Sequence, residues 1–242
     1  MTEVYLFTEA AADARTAALL IDRLCPGSAH HYRGVTEESR FTRRGPPTAE
    51  MSFTPFRHIG RLTGARVRAR RGEGYATQAM RRAINAATAN GRHRPPVVIV
   101  KDDDHQHGLA EAIPLLVADY PSLPLILGAC LPEMEIWRLH AFDPRDRDDA
   151  ARLTDERRAL GADPRELDPA TVKSGAEFDH RGQPVKRNAK RILRVLTADD
   201  PHRADDDLAT ADLDLLRARG QRTGLAAFLE AIDTRLRPAL CP

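Results

Sequence analysis

Cysteine is scarce in this 242-residue chain, with three residues scattered at Cys25, Cys130 and Cys241. An odd, scattered set fits neither a disulfide framework nor a zinc motif, and it suits a reducing compartment. No stretch approaches the ~18 consecutive apolar residues of a transmembrane helix, so no membrane span is expected. The opening residues, MTEVYLFTEAAADAR, lack a basic n-region. No signal peptide is expected there, and a cytoplasmic location follows. A phosphate loop of the G-x-x-x-x-G-K-[ST] type is also missing. Lysine is rare, four residues against 33 arginines. A GC-rich genome produces that skew by itself, so it does not argue for nucleic-acid binding.

What is present is charge, unevenly laid out. From Arg33 to Lys101 there are 15 Lys and Arg against 4 Asp and Glu; from Asp102 to His180 there are 8 against 18. A basic block followed by an acidic one suits a polyanion held beside a cation-binding centre.

Periodicity organises the chain into alternating elements. Residues 3–8, EVYLFT, carry β-formers and alternate. Ala14, Ala17, Ala18, Ile21 and Leu24 then recur at helical spacing, and Pro26-Gly27 closes that helix. The segment 28–72 is less regular; FRHIGRLTGARVRARRG is compatible with a short helix and a strand. YATQAMRRAINAATAN predicts a helix, VVIV an inner parallel strand, QHGLAEAIPLLVADY a helix, LPLILGA another strand and PEMEIWRLHAF a helix. Further helices are expected over 148–160, 185–197, 206–219 and 223–236. The expected fold is α/β: a parallel four-stranded sheet flanked by helices, then a mostly helical C-terminal region. The division expected is 1–145, with a basic insertion at 33–72, and 146–242.

Ligands gather outside the carboxyl ends of strands in such sheets. Three expected strand ends deliver acids there: Glu9, then Asp102 to Asp104, then Glu133 and Glu135. Like charges so placed repel unless a cation relieves them. Hard oxygen donors select Mg²⁺ or Mn²⁺. His105 and His107 flank the aspartates without completing a zinc set, and His30-His31 is expected at the surface.

A glutamate after the first strand and a D-x-D at the end of a later one resembles the signature of Toprim domains. Here these residues are Glu9, Asp102 and Asp104. The basic insertion, the P-E-x-E-x-W run from Pro132 to Trp137 and the closing GQRTGLAAFLEAIDTRL resemble a bacterial Toprim-like family catalogued only as a domain of unknown function. That family is related to nucleases of the overcoming-lysogenisation-defect type. The resemblance implies a nuclease subunit working with a separate ATPase partner, as in anti-phage defence. It prefers Asp102 with Asp104 and leaves Asp103 a bystander.

Phosphodiester hydrolysis needs an activated water, relief of charge on the pentacovalent phosphate and a stabilised leaving oxygen. Asp102 and Asp104 would hold metal, Glu9 would hold metal or act as base, and Glu133 and Glu135 would serve a second ion. Lys186 and Lys190 share a face if 185–197 is one helix. Lys190 would stabilise developing charge and Lys186 would contact phosphate, or both line a solvated face. Arg66, Arg68, Arg70 and Arg71 form the densest basic run and are expected to bind nucleic acid, DNA ahead of RNA. Trp137 is expected in the core. Two other classes fit the same residues, a non-catalytic Mg²⁺-binding scaffold or regulatory subunit and a small-molecule phosphohydrolase.

Overall fold

The computed structural model of the protein describes residues 2–28, 30–36, 52–55, 75–88, 95–103, 109–200 and 202–241. Asp104, His105, His107, Arg66, Arg68, Arg70 and Arg71 lie outside them, as does most of the 33–72 insertion. The roles expected of those residues therefore stay with the sequence.

Five strands form one sheet in the order β3-β2-β1-β4-β5. They are β1 (Thr2–Thr8), β2 (His30–Thr36), β3 (Ser52–Pro55), β4 (Val97–Asp102) and β5 (Leu125–Cys130). β1 runs parallel to both β2 and β4, and β2 runs parallel to β3. Val97 N–H donates to Pro124 O and Asp103 N–H to Cys130 O. The offset is the same at both ends, so β4 and β5 are also parallel. The α/β expectation holds, with five strands where four were expected. HHYRGVT and SFTP have no apolar alternation, and pairing of β2 with β1 and of β3 with β2 is what makes them strands. The apolar runs Val97–Val100 and Leu125–Cys130 are buried throughout, as inner strands require.

The chain divides into two units, 1–101 with 106–128 and 228–242, and 102–105 with 129–227. Residue 145, the expected boundary, falls inside the second unit. In the first, α1 (Ala11–Leu24) packs on β1 and β2. Its expected stripe of Ala14, Ala17, Ala18, Ile21 and Leu24 is buried. α2 (Tyr75–Thr88) packs on α3 (Leu109–Asp119), where Arg81 meets Asp119 at 2.9 Å and the Tyr120 hydroxyl donates to Asn85 at 3.1 Å. The β1-α1-β2 and β4-α3-β5 crossovers step in opposite directions along the sheet. Right-handed connections therefore place α1 and α3 on opposite faces. A π turn at Ile232–Leu236 packs back on α1.

His30 departs from expectation. Its side chain is buried, with Nδ1 at 2.7 Å from Ser28 Oγ and Nε2 between Asp22 (3.1 Å) and the Tyr32 hydroxyl (2.9 Å). The polar partners on α1 and β2 let it go inside.

The second unit is helical. α4 (Glu135–Ala141) buries Ile136, Trp137, Leu139, His140 and Ala141. Around it stand α6 (Ala189–Leu196), α7 (Arg203–Thr210) and α8 (Leu213–Arg219), with α5 (Arg147–Leu160) against α6. Capping residues decide the boundaries. Asn188 accepts from Arg191 N–H at 2.9 Å, so α6 starts at Ala189. Asp212 accepts from Leu215 N–H at 2.8 Å and splits the expected 206–219 helix in two. α9 (Leu225–Ala231) continues toward the C-terminus.

At Gly224 both the backbone angle and the space around it demand glycine. Its φ is +84°, and an added Cβ would collide with the Ala129 carbonyl oxygen. That approach seats Thr223, whose carbonyl accepts from Trp137 Nε1 at 2.7 Å and from Leu131 N–H at 3.2 Å.

Candidate functional site

The strand order reverses direction between β1 and β4, and in open α/β sheets such a switch point is where ligands bind. The order is also that of dinucleotide-binding sheets. The turn leaving β1, however, is Thr8-Glu9-Ala10 and has no glycine to admit a pyrophosphate. Thr8 Oγ1 donates to Ala10 O at 2.8 Å, and Ala10 N–H donates to the Asp13 carboxylate at 3.0 Å. Tyr5, Leu6 and Phe7 pair with Val97, Val98 and Ile99. Extending that register by two residues sets Glu9 level with Lys101, and the two side chains form an ion pair. Glu9 is thus at the expected strand end, and its partner there is a lysine.

The second group lies where β4 and β5 end in the other unit. Asp102 Oδ1 accepts from Met134 N–H at 2.9 Å. Glu133 enters just before α4, after a cis Leu131-Pro132 bond, and its side chain is 1% exposed. Its Oε2 is 3.3 Å from Lys190 Nζ and accepts from Gly175 N–H, also at 3.3 Å. Its Oε1 is buried with no hydrogen-bond partner among the described residues. Burial first, then the charge of Glu135, pushes the Glu133 carboxyl up to about 7 despite Lys190. Burial opposes the charged form of Lys190. The carboxylates of Glu135, Glu133 and Asp102 outweigh it and raise the ammonium pKa.

Four of the expected residues, Asp102, Glu133, Glu135 and Lys190, therefore act on one another within this unit. Asp103 is buried at 3% exposure, and its N–H donates to Cys130 O at the end of β5. One expectation is corrected. Lys186 does not share a helix face with Lys190, because Asn188 caps α6 after it. The Asn188 amide donates to the carbonyls of Lys173, Gly175 and Ala176. Trp137 is fully buried, as expected.

Sequence reasoning missed Lys101 and Gly175. The rarity of lysine was the available signal for the first, since two of four lysines hold these acids. Nothing marks Gly175 before folding, because it contributes a backbone N–H.

The donor set offers oxygen only: Glu133 and Glu135 act on each other, and Asp102 acts on the same lysine as they do. Among the described residues no three His, Cys, Asp or Glu side chains converge as a complete metal-binding group. No helix among them is long and apolar enough to cross a membrane. Comparison of the chain with protein-family models, curated proteins and solved structures finds no match.

Proposed function

We propose that this protein hydrolyses phosphodiester bonds in nucleic acid, DNA ahead of RNA, with Mg²⁺ or Mn²⁺ and in company with a separate ATPase. The observation that supports this most directly is Glu133: a buried carboxylate with one bare oxygen, a lysine on the other, and two further acids acting on the same lysine. Asp102, Glu133 and Glu135 would hold the ion, with Asp104 joining from the sequence. The ion would supply charge against the phosphate and lower the pKa of a bound water.

The chain's own groups have separable tasks. Burial and Glu135 raise the Glu133 carboxyl to about 7 in the absence of an ion, so Glu133 would release a proton on taking the ion at neutral pH. Lys190 stays protonated and offsets negative charge as it grows on the phosphate or leaving oxygen. Lys101 pairs with Glu9 at the end of β1, so Glu9 enters this reading as an oriented side chain.

A second reading has its own support. Lysines already balance Glu9 and Glu133, which suits a non-catalytic scaffold whose acids are structural. Plasmid, single-stranded DNA, RNA and a chromogenic phosphoester, each with Mg²⁺ or Mn²⁺, separate the two. Cleavage should require metal and disappear in Asp102→Ala and Glu133→Gln. Mn²⁺ at 100 times its Kd should raise the melting temperature by roughly 5–10 °C. A protein that gains stability with metal but never cuts is the Mg²⁺-binding scaffold, and one that does neither has structural acids only.

A further inference from the structure

The segment between Lys173 and Asn188 is a short hairpin whose base touches the Glu133 site. Glu177 O accepts from Val185 N–H at 2.8 Å, and Asp179 N–H donates to Gln183 O at 2.9 Å. At its tip the Asp179 carboxylate accepts from Arg181 N–H (2.8 Å) and Gln183 N–H (2.9 Å), and Gly182 turns the chain at φ +72°. At its base the Asn188 amide gathers three carbonyls, and Gly175 N–H reaches Glu133. Bonds at both ends hold the hairpin in shape.

This braced hairpin presents Phe178 to solvent at 52% exposure, beside Pro184 on the facing strand. The other large apolar side chains exposed among the described residues are the aliphatic Leu115 and Leu215. One exposed phenyl ring needs no explanation by itself. Its electrostatic setting supplies one. From Lys173 to Arg194 the chain carries seven Lys and Arg against two acids. Both acids are engaged, Glu177 by Arg194 at 2.9 Å and Asp179 by backbone N–H groups. Arg181 and Lys186 form no ion pair among the described residues and are exposed. The result is an exposed aromatic side chain with two unmatched cations, Arg181 and Lys186, following it on the same hairpin.

We propose that the hairpin binds single-stranded nucleic acid, with a base stacked on Phe178 and phosphates on Arg181 and Lys186. This deepens the hydrolase reading and rests on it for the site the strand would reach. Stacking needs an unpaired base with an open π-face, which a duplex interior does not offer, and cations on the same hairpin recruit phosphate without regard to sequence.

The test is fluorescence anisotropy of labelled oligo-dT and of a matched duplex with the full chain in EDTA. Phe178→Ala should weaken oligo-dT binding about tenfold, the scale of one lost base stack. Phe178→Trp should bind as wild type, and duplex binding should not change. Arg181→Gln with Lys186→Gln should flatten the salt dependence by about two phosphate contacts. The inference is overturned if the wild type does not bind oligo-dT, if Phe178→Ala binds it normally, or if that variant loses duplex equally. Because binding is read without metal, a protein that binds in this pattern but never cuts refutes only the hydrolase. One that cuts with Phe178→Ala binding normally refutes only the hairpin.

Discussion

The two units are held together by different means. Among the described residues the first buries Thr8, Thr16, Arg81 and the side chain of His30 in an otherwise apolar core. The second buries ten, including Asp103, Glu133, His140, Asp149, Arg203 and Asp207. Arg203 alone meets Asp149 at 2.7 Å and Asp207 at 2.8 Å, with its guanidinium over the Phe142 ring. Apolar burial is non-directional and tolerates small shifts, whereas a buried polar group loses its partner when geometry slips. The second unit should therefore answer more sharply to pH and to single substitutions. The acid–lysine pairs repeat the contrast. At Glu9–Lys101 the anion is the more exposed partner (30% against 15%), whereas at Glu133–Lys190 it is the buried one (1% against 42%).

The largest effect should come from Gly224→Ala, which strains a left-handed residue and drives a methyl into the Ala129 carbonyl. A loss of roughly 4 kcal/mol in urea unfolding is expected. A loss below about 1 kcal/mol would show a corner free to relax. Next is acid. His140 Nδ1 is 2.7 Å from Arg165 O, and Nε2 is 2.8 Å from the Thr223 hydroxyl. Burial holds its pKa down at about 4 against an ordinary 6.5. Between those values the unfolded chain binds the extra proton, so stability falls as pH drops from 6.5 to 4. About 3 kcal/mol is at stake, and His140→Gln should flatten the profile.

Asp103→Ala should follow, at about 2 kcal/mol, because it empties a side-chain site that is only 3% exposed. Asp102→Ala, half-exposed and losing one bond to Met134 N–H, should cost about 1 kcal/mol. Equal costs by thermal melting would erase the difference between the two aspartates. The lysines give the smallest and most direct comparison. Lys190→Met leaves a buried anion behind and should cost roughly 1 kcal/mol at pH 8. Lys101→Met leaves a partly solvated one and should cost less than about 1 kcal/mol. If Lys101→Met proved the costlier, burial of the anion would not be what separates the pairs.

Much of the first unit was legible because its signals are local. The helical spacing of Ala14, Ala17, Ala18, Ile21 and Leu24 marks the buried face of α1 without knowledge of its partner. The run VVIV marks an inner strand in the same way. β2 and β3 were illegible because HHYRGVT and SFTP become strands only through a neighbour's ladder. In the second unit the helices were legible, 148–160 to within a residue, but the breaks at Asn188 and Asp212 were not. Asn188 and Asp212 could each have sat within a helix, and their side-chain bonds made them caps.

The sequence by itself determined that acids would stand at the carboxyl ends of β1 and β4 and at the start of α4. That follows from chain order, since a strand's last residue must lie at its end. Only the tertiary structure decided which cation each acid meets. Lys101 reaches Glu9 across 92 residues because β1 and β4 pair in a register that sets the two level. Lys190 reaches Glu133 because Asn188 starts α6 where it does, and α6 packs on α4. Register and packing are set by the whole sheet and core, so no window of sequence around a carboxylate contains them.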